Sequence, residues 1–179
     1  MSDDSPAPSH TVRRLESLDE TQVQQLSELL IDCVEGGASV SFMHPLSLAR
    51  AQAFWRGVGA GVARGERLLM VAEHAGAIVG TVQVVLDQPE NQPHRADVAK
   101  MLVHRRARRR GLGAALLRAA EDAARASGKT LLVLDTASEE AARLYARLGW
   151  HECGVVPGYA LLPQGGLCDT TYFYRSLAA

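Results

Sequence analysis

Aromatic residues make up only 5% of the 179 positions in this chain. A single-strand nucleic-acid binder stacks bases on interleaved aromatic rings, and the sequence offers no such series. Bulk charge is lacking too: a formal net charge of −1 gives no general attraction to a polyanion, so no nucleic acid is expected as a partner. Cysteine is scarce. Cys33, Cys153 and Cys168 are odd in number and lack a CxxC spacing, which argues against a disulfide framework and for a reducing compartment, hence cytoplasm. All three read as packing or surface residues. The six histidines are scattered without ligand spacing, so no metal is expected. No apolar run reaches the length of a membrane span and no signal peptide opens the chain, so no membrane is expected either.

What remains is an ordinary globular composition, 47% hydrophobic, with enough chain for one core. Met1 to His10 is polar and proline-containing and reads as a disordered tail. Residues 11–179 then form a single domain, without internal repeats. Thr11 to Leu15 reads as a strand, Asp19 to Val34 as a helix stopped by Gly36-Gly37, and Leu46 to Arg64 as a second helix. Strands fit Arg67 to Glu73, Ala77 to Leu86 and Ala96 to Val103, with Asp87 to Pro93 a polar loop. The next helix carries an apolar stripe of Leu112, Ala115, Leu116, Ala119, Ala120 and Ala123, with Arg118, Glu121, Asp122 and Arg125 facing water. Thr130 to Leu134 is near-continuously apolar, as a strand buried on both faces should be. Thr136-Ala137-Ser138-Glu139 reads as a capping box for a helix whose Ala141, Leu144, Tyr145 and Leu148 share one face. Strands around Trp150 to Val155 and Thr170 to Ser176 close the chain, joined by a long loop. The order β-α-α-β-β-β-α-β-α-β-β predicts a mixed α/β fold, parallel only around its central β-α-β unit.

The chemistry concentrates at Arg108-Arg109-Arg110-Gly111-Leu112-Gly113-Ala114, between an apolar strand and an alanine-rich helix. The free amides of a helix's first turn carry partial positive charge. Small residues let a pyrophosphate approach them, and arginine adds charge-assisted hydrogen bonds. Arg105 and Arg106 enlarge the patch. A P-loop would need Gly-Lys-Ser/Thr here, and the chain runs on into alanine and leucine. A dinucleotide fingerprint would need a third glycine where Leu116 stands, although Asp135 lies about 20 residues on, where a ribose-binding acid belongs. The loop's position past mid-chain, with no second βαβ unit after it, weighs against that. A glycine turn flanked by solvated arginines is the plain alternative.

Residues 98–116, VAKMLVHRRARRRGLGAAL, with Arg-x-x-Gly-x-Gly after a strand, resemble the acetyl-CoA loop of the GNAT superfamily of N-acetyltransferases. Ala141-Ala142-Arg143-Leu144-Tyr145 and Leu148-Gly149-Trp150 resemble its second signature; Ser138 departs, standing where many members carry asparagine. Gly36 to Val40, HRADVAK (94–100), Leu134-Asp135-Thr136, Pro157-Gly158-Tyr159 and Tyr172-Phe173 are similar to the tabtoxin-resistance acetyltransferases. The resemblance implies a mostly antiparallel central sheet with helices on both faces, whose fourth and fifth strands splay to admit the thioester. It implies acetyl-CoA as co-substrate, held by Met101, Leu102, Val103, Arg108, Arg109, Arg110, Gly111, Leu112, Gly113, Ala114 and Tyr145. The Met101 amide falls where the oxyanion donor belongs, and the Val103 main chain where pantetheine binds. Tyr145 matches the proton donor to the departing thiolate; its helical phase equally fits core packing. Asp97 and Asp135 match proposed bases or substrate anchors, and a carboxylate of pKa ~3.9 suits anchoring an ammonium better than deprotonating it. Asp135 could instead belong to the turn beside Thr136, and Asp97 could pair with Lys100 or solvent.

The implied activity is direct acetyl transfer, through a ternary complex, to a small amine such as an amino acid, toxin or antibiotic, which makes resistance a natural role. A non-catalytic acyl-CoA sensor would keep the loop without the acceptor pocket. For that pocket, residues 36–43 offer Phe42 and Met43 as an apolar wall. Tyr159 offers an aromatic face to an ammonium; both could instead be loop anchors. Gln164-Gly165-Gly166 reads as a turn. The fold likeness also allows a homodimer.

Overall fold

The computed structural model describes residues 10–177. The elements follow as β1 (Thr11–Leu15), α1 (Glu20–Glu35), α2 (Leu48–Ala63), β2 (Arg67–His74), β3 (Ala77–Val85), β4 (Arg95–Val103), α3 (Leu112–Ala126), β5 (Leu131–Thr136), α4 (Glu139–Arg147), β6 (His151–Leu161) and β7 (Leu167–Ser176). They build one seven-stranded sheet ordered β1-β2-β3-β4-β5-β7-β6, antiparallel everywhere except between β4 and β5. The mixed α/β order read from the sequence is therefore the observed one. Of the expected tail, residues 1–9 lie outside the described residues, while His10 packs its ring 4.9 Å from that of His74. Among the described residues no helix is long and apolar enough to cross a membrane.

The sheet separates two cores. On one face Leu26, Leu30 and Val34 of α1 meet Trp55 and Val58 of α2 over Leu69 and Val71. On the other, Leu116, Leu117 and Ala120 of α3 pack on Val82, Val84, Ala96 and Leu132. Each fully buried leucine contributes roughly 1.5–3 kcal/mol. α3 lies close because Gly80 has no side chain: a Cβ there would stand 2.9 Å from Leu116 Cδ1 and 3.2 Å from the Leu102 carbonyl oxygen. α1 starts at a capping box formed by Asp19 and Gln22 and ends at Gly36, with Gly37 at φ 89° as the glycine pair predicts.

Three expectations need correction. Glu121 is buried, not solvated, because Trp150 Nε1 donates to it at 2.8 Å and Arg175 lies 3.3 Å away. The buried stripe of α3 is accordingly rotated to include Leu117 and Ala124. The N-cap of α4 is Ser138, whose Oγ accepts from the Ala141 amide, while Thr136 Oγ1, two residues earlier, accepts from the Ser138 amide. Finally, the expected long loop before Thr170 is a hairpin: β6 runs on to Leu161 and β7 begins at Leu167. Its shifted register at Glu152/Gly154 and Val156/Ala160 blurs the alternation that would have revealed it.

Candidate functional site

β4 and β5 pair only at Arg95–Leu131, Ala96–Leu132 and Asp97–Val133. Beyond those residues β4 continues with β3, and β5 with β7. The two strands thus part, and their facing backbones open into a cavity of about 920 Å³. This is the wedge that the resemblance implied. At its mouth stands the start of α3. Gly111, at φ 77°, provides the N-cap position but no side-chain cap, and the first helical bond runs from the Ala115 amide to the Gly111 carbonyl. The amides of Leu112, Gly113 and Ala114 therefore have no acceptor among the described residues, and all three line the cavity. Gly113 also lets α4 approach, since a Cβ there would meet Leu144 Cδ2 at 2.9 Å.

The arginines divide. Arg108 and Arg109 line the cavity, Arg109 in the left-handed conformation at φ 62°. Arg108 Nε donates to the Val103 carbonyl at 3.2 Å, tying the loop to the strand end. Arg110 is exposed and does not line the cavity. Arg105 is committed elsewhere, its Nε and backbone amide both donating to Asp32 at 2.9 Å. Burial pushes the Asp32 carboxyl up, but the Arg105 hydrogen bonds and the His104 and Arg105 charges outweigh it and hold the group below its ordinary 3.8. α1 thereby fixes the 3₁₀ turn Arg105–Ala107 that leads into the arginine–glycine loop. No sequence pattern marks that pair, which spans 73 positions.

Met101, Leu102 and Val103 line the cavity along β4. The register skips between Thr81 and Gln83, leaving Lys100 and Met101 without partners on β3. Tyr145 also lines it, is 4% exposed, and packs 5.7 Å from the Phe173 ring and 6.0 Å from that of Trp150. Burial, and then the Asp135 charge, push its phenol far above the ordinary 10.0. Cys33, buried beside the Val103 carbonyl, has its thiol pushed up to about 11 by desolvation, which makes it a packing residue.

The two aspartates lie differently. Asp135 lines the large cavity and accepts from Thr170 Oγ1 at 2.8 Å. Asp97 sits outside it, in a smaller cavity of about 230 Å³ shared with Asp135 and Tyr172. Its carboxylate pairs with Arg95 and accepts from Gln88 Nε2 at 3.1 Å. Phe42 and Met43 line the large cavity from the α1–α2 loop, Phe42 edge-on to Phe54 with ring centres 5.2 Å apart. Tyr159 lines it from β6, its hydroxyl accepting from that of Tyr172 at 3.0 Å, a bond that pushes the Tyr172 phenol up to about 12. Sequence reasoning missed Lys100, which also lines the cavity and donates to Ser41 Oγ at 3.2 Å. The available signal was a lysine between the apolar neighbours of a strand.

Residues 24–150 match the model of the acetyltransferase (GNAT) family. Over 127 residues the chain is 32% identical to an uncharacterized N-acetyltransferase from the hisH-hisA intergenic region of Azospirillum brasilense, covering 70% of this chain and 74% of that protein. Two solved structures share the fold. One is a Salmonella typhimurium acetyltransferase with its cofactor acetyl-CoA (TM-score 0.77, 22% identity, 94% of each chain). The other is a Sinorhizobium meliloti phosphinothricin acetyltransferase in complex with acetyl-CoA (TM-score 0.77, 19% identity, 94% of this chain and 89% of that one).

Proposed function

The chain belongs to the GNAT acetyltransferase family, and on that premise we propose that it moves acetyl from acetyl-CoA directly to the amine of a small molecule: an amino acid, a toxin or an antibiotic-like compound. The observation that carries this reading is one cavity lined both by the parted strands and by the uncapped amides of α3. Residues 11–179 act as one domain in it. A cytoplasmic setting is part of the proposal, supported by three cysteines that are all free thiols.

Acetyl-CoA supplies the activated acyl group. The amides of Leu112, Gly113 and Ala114, with Arg108 and Arg109, suit its diphosphate. The backbone of Met101 to Val103 suits the pantetheine arm, because strand edges pair with extended amides. The Met101 amide, without a partner at the break in register, is suited to stabilise developing negative charge, an interaction worth roughly 3–4 kcal/mol in such sites. Tyr145 keeps its proton and can deliver it to the leaving sulfur. Asp135 holds the incoming ammonium electrostatically while water removes its proton. Asp97, tied to Arg95 and Gln88, acts from the adjoining cavity on the charge around Asp135. Phe42 and Tyr159 enclose the acceptor. The likeness to tabtoxin-resistance enzymes supports an acceptor derived from an amino acid. We include a homodimer, supported by the outer hairpin, where Val155, Leu161 and Leu167 are 54%, 50% and 71% exposed; sedimentation tests it.

The deciding experiment is thiol release from acetyl-CoA across amino acids, polyamines, aminoglycosides and peptide N-termini. Turnover with one of the small amines is the expected result. Coenzyme binding without turnover on the whole panel would make the protein a sensor instead, and no coenzyme binding in calorimetry would end both readings.

A further inference from the structure

β4 changes face at Lys100. Ala96 and Val98 pack on the α3 side of the sheet, yet Leu102 packs on the α1–α2 side. Regular alternation would keep all three together. The break is the bulge at Lys100 and Met101, where Lys100 takes φ 52°. Left-handed backbone is unfavourable for a lysine, and bulges re-aim side chains beside sites. By the parity of Ala96 and Val98, Lys100 would point into the α3 core; instead it reaches the opposite face. There its Nζ lies 3.2 Å from Ser41 Oγ and 5.9 Å from the centre of the Phe54 ring.

The ammonium so placed is half-buried and lines the large cavity. Among the described residues no carboxylate lies within 4.0 Å of it. Ser41 takes one of its three hydrogens, and the Phe54 ring face attracts a cation rather than a neutral amine. A desolvated charge without a counter-ion is costly. Burial lowers the lysine's pKa and Arg67 adds to that, with Asp135 opposing them. An anion entering the cavity would relieve this cost. Asp135 lines the same cavity with the opposite charge.

We propose that Lys100 is a specificity-determining residue that receives the acceptor's carboxylate, so that the enzyme selects amines which also carry an acid group, as amino acids do. The inference rests on the acetyltransferase reading above and narrows its substrate class. Asp135 takes the ammonium end and Lys100 the carboxylate end of one zwitterion.

The test titrates the CoA-loaded protein with N-acetyl amino acids and with the matching N-acetyl amines that lack the carboxylate. The intact protein should bind the acids roughly 10- to 100-fold more tightly. Lys100→Gln should abolish that preference and Lys100→Arg should restore part of it, with CoA affinity unchanged in both. In turnover, Lys100→Gln should raise KM for amino acids by a larger factor than KM for their decarboxylated counterparts. Equal binding of the two product series by the intact protein, or binding of neither, overturns the inference while leaving the parent reading in place. Failure to take up CoA overturns both, and the wild-type arms decide even where a variant misfolds.

Discussion

Tyr145 holds its proton more tightly than a free phenol because its ring is surrounded by Trp150 and Phe173 and its hydroxyl feels the Asp135 charge. The direction of that shift fixes a pH signature. A group whose pKa is raised stays protonated as pH climbs, so Tyr145, the proposed donor, keeps its proton across about pH 6 to 10. Tyr145→Phe should lower kcat roughly 10- to 100-fold at every pH in that range and leave KM for acetyl-CoA alone, giving two parallel pH–rate curves. Curves that converge at alkaline pH would show the phenol losing its proton within that range, and equal kcat at every pH would assign the donor to another group. The motif Ala141 to Tyr145 announced this residue. Lys100 had no such announcement, because its orientation follows from a backbone bulge that no pattern of side chains encodes. Asp97 was legible as an acid near the wedge. Its partner was not: the expectation named Lys100 or solvent, whereas Arg95, two residues away on the same strand face, holds it.

At the scale of elements, the loop leading to the uncapped end of α3 depends on a residue of α1. Asp32 accepts from the Arg105 amide and guanidinium, and its side chain is 13% exposed. Asp32→Asn should destabilise the fold at neutral pH by about 1–3 kcal/mol, since hydrogen bonds to charged groups are the strong ones. It should also raise KM for acetyl-CoA by loosening the turn. The carboxyl's pKa is depressed on folding, so its contribution is complete above the ordinary 3.8 and is lost as pH falls through the lower folded value. Urea melts of wild type and variant should therefore differ most at neutral pH and converge under strong acid. A gap that persists in acid would show a packing effect instead. Arg108→Ala tests the other tether, and an unchanged affinity for acetyl-CoA in calorimetry would remove the loop from the coenzyme site. Gly80 sets how near α3 can lie. Gly80→Ala should cost about 1–3 kcal/mol, read as a lower melting temperature, because one of the two clashing atoms is a backbone carbonyl that cannot swing away. Helix existence and order were readable from period and caps. The face of α3 was misread because a glutamate counts as polar until Trp150 and Arg175, both distant in sequence, supply its partners.

At the scale of the whole molecule, segments far apart in sequence meet beside the cavity. Gln164, in the turn between β6 and β7, donates to the Val34 and Glu35 carbonyls at 3.4 and 3.2 Å, capping the end of α1. The His44 amide donates to the Pro163 carbonyl at 2.9 Å, and Ser39 Oγ to that of Leu161 at 3.4 Å. The turn was legible as a turn, yet its docking was invisible, because a glutamine that caps another element's carbonyls leaves no local pattern. This clasp holds the loop carrying Ser41 and Phe42 against the strand carrying Tyr159, all three of which line the cavity where the proposal puts the acceptor. The part proposed for the coenzyme is built separately, from β4 and the start of α3. Gln164→Ala removes two hydrogen bonds, each worth about 0.5–1.5 kcal/mol, and the loss should fall on one side only. KM for the acceptor should rise about fivefold while KM for acetyl-CoA holds, and amide exchange should quicken in residues 36–44 and 157–166 but not in α3. If both KM values rose together, the two halves of the cavity would be mechanically one, and the division of labour between clasp and loop would be wrong.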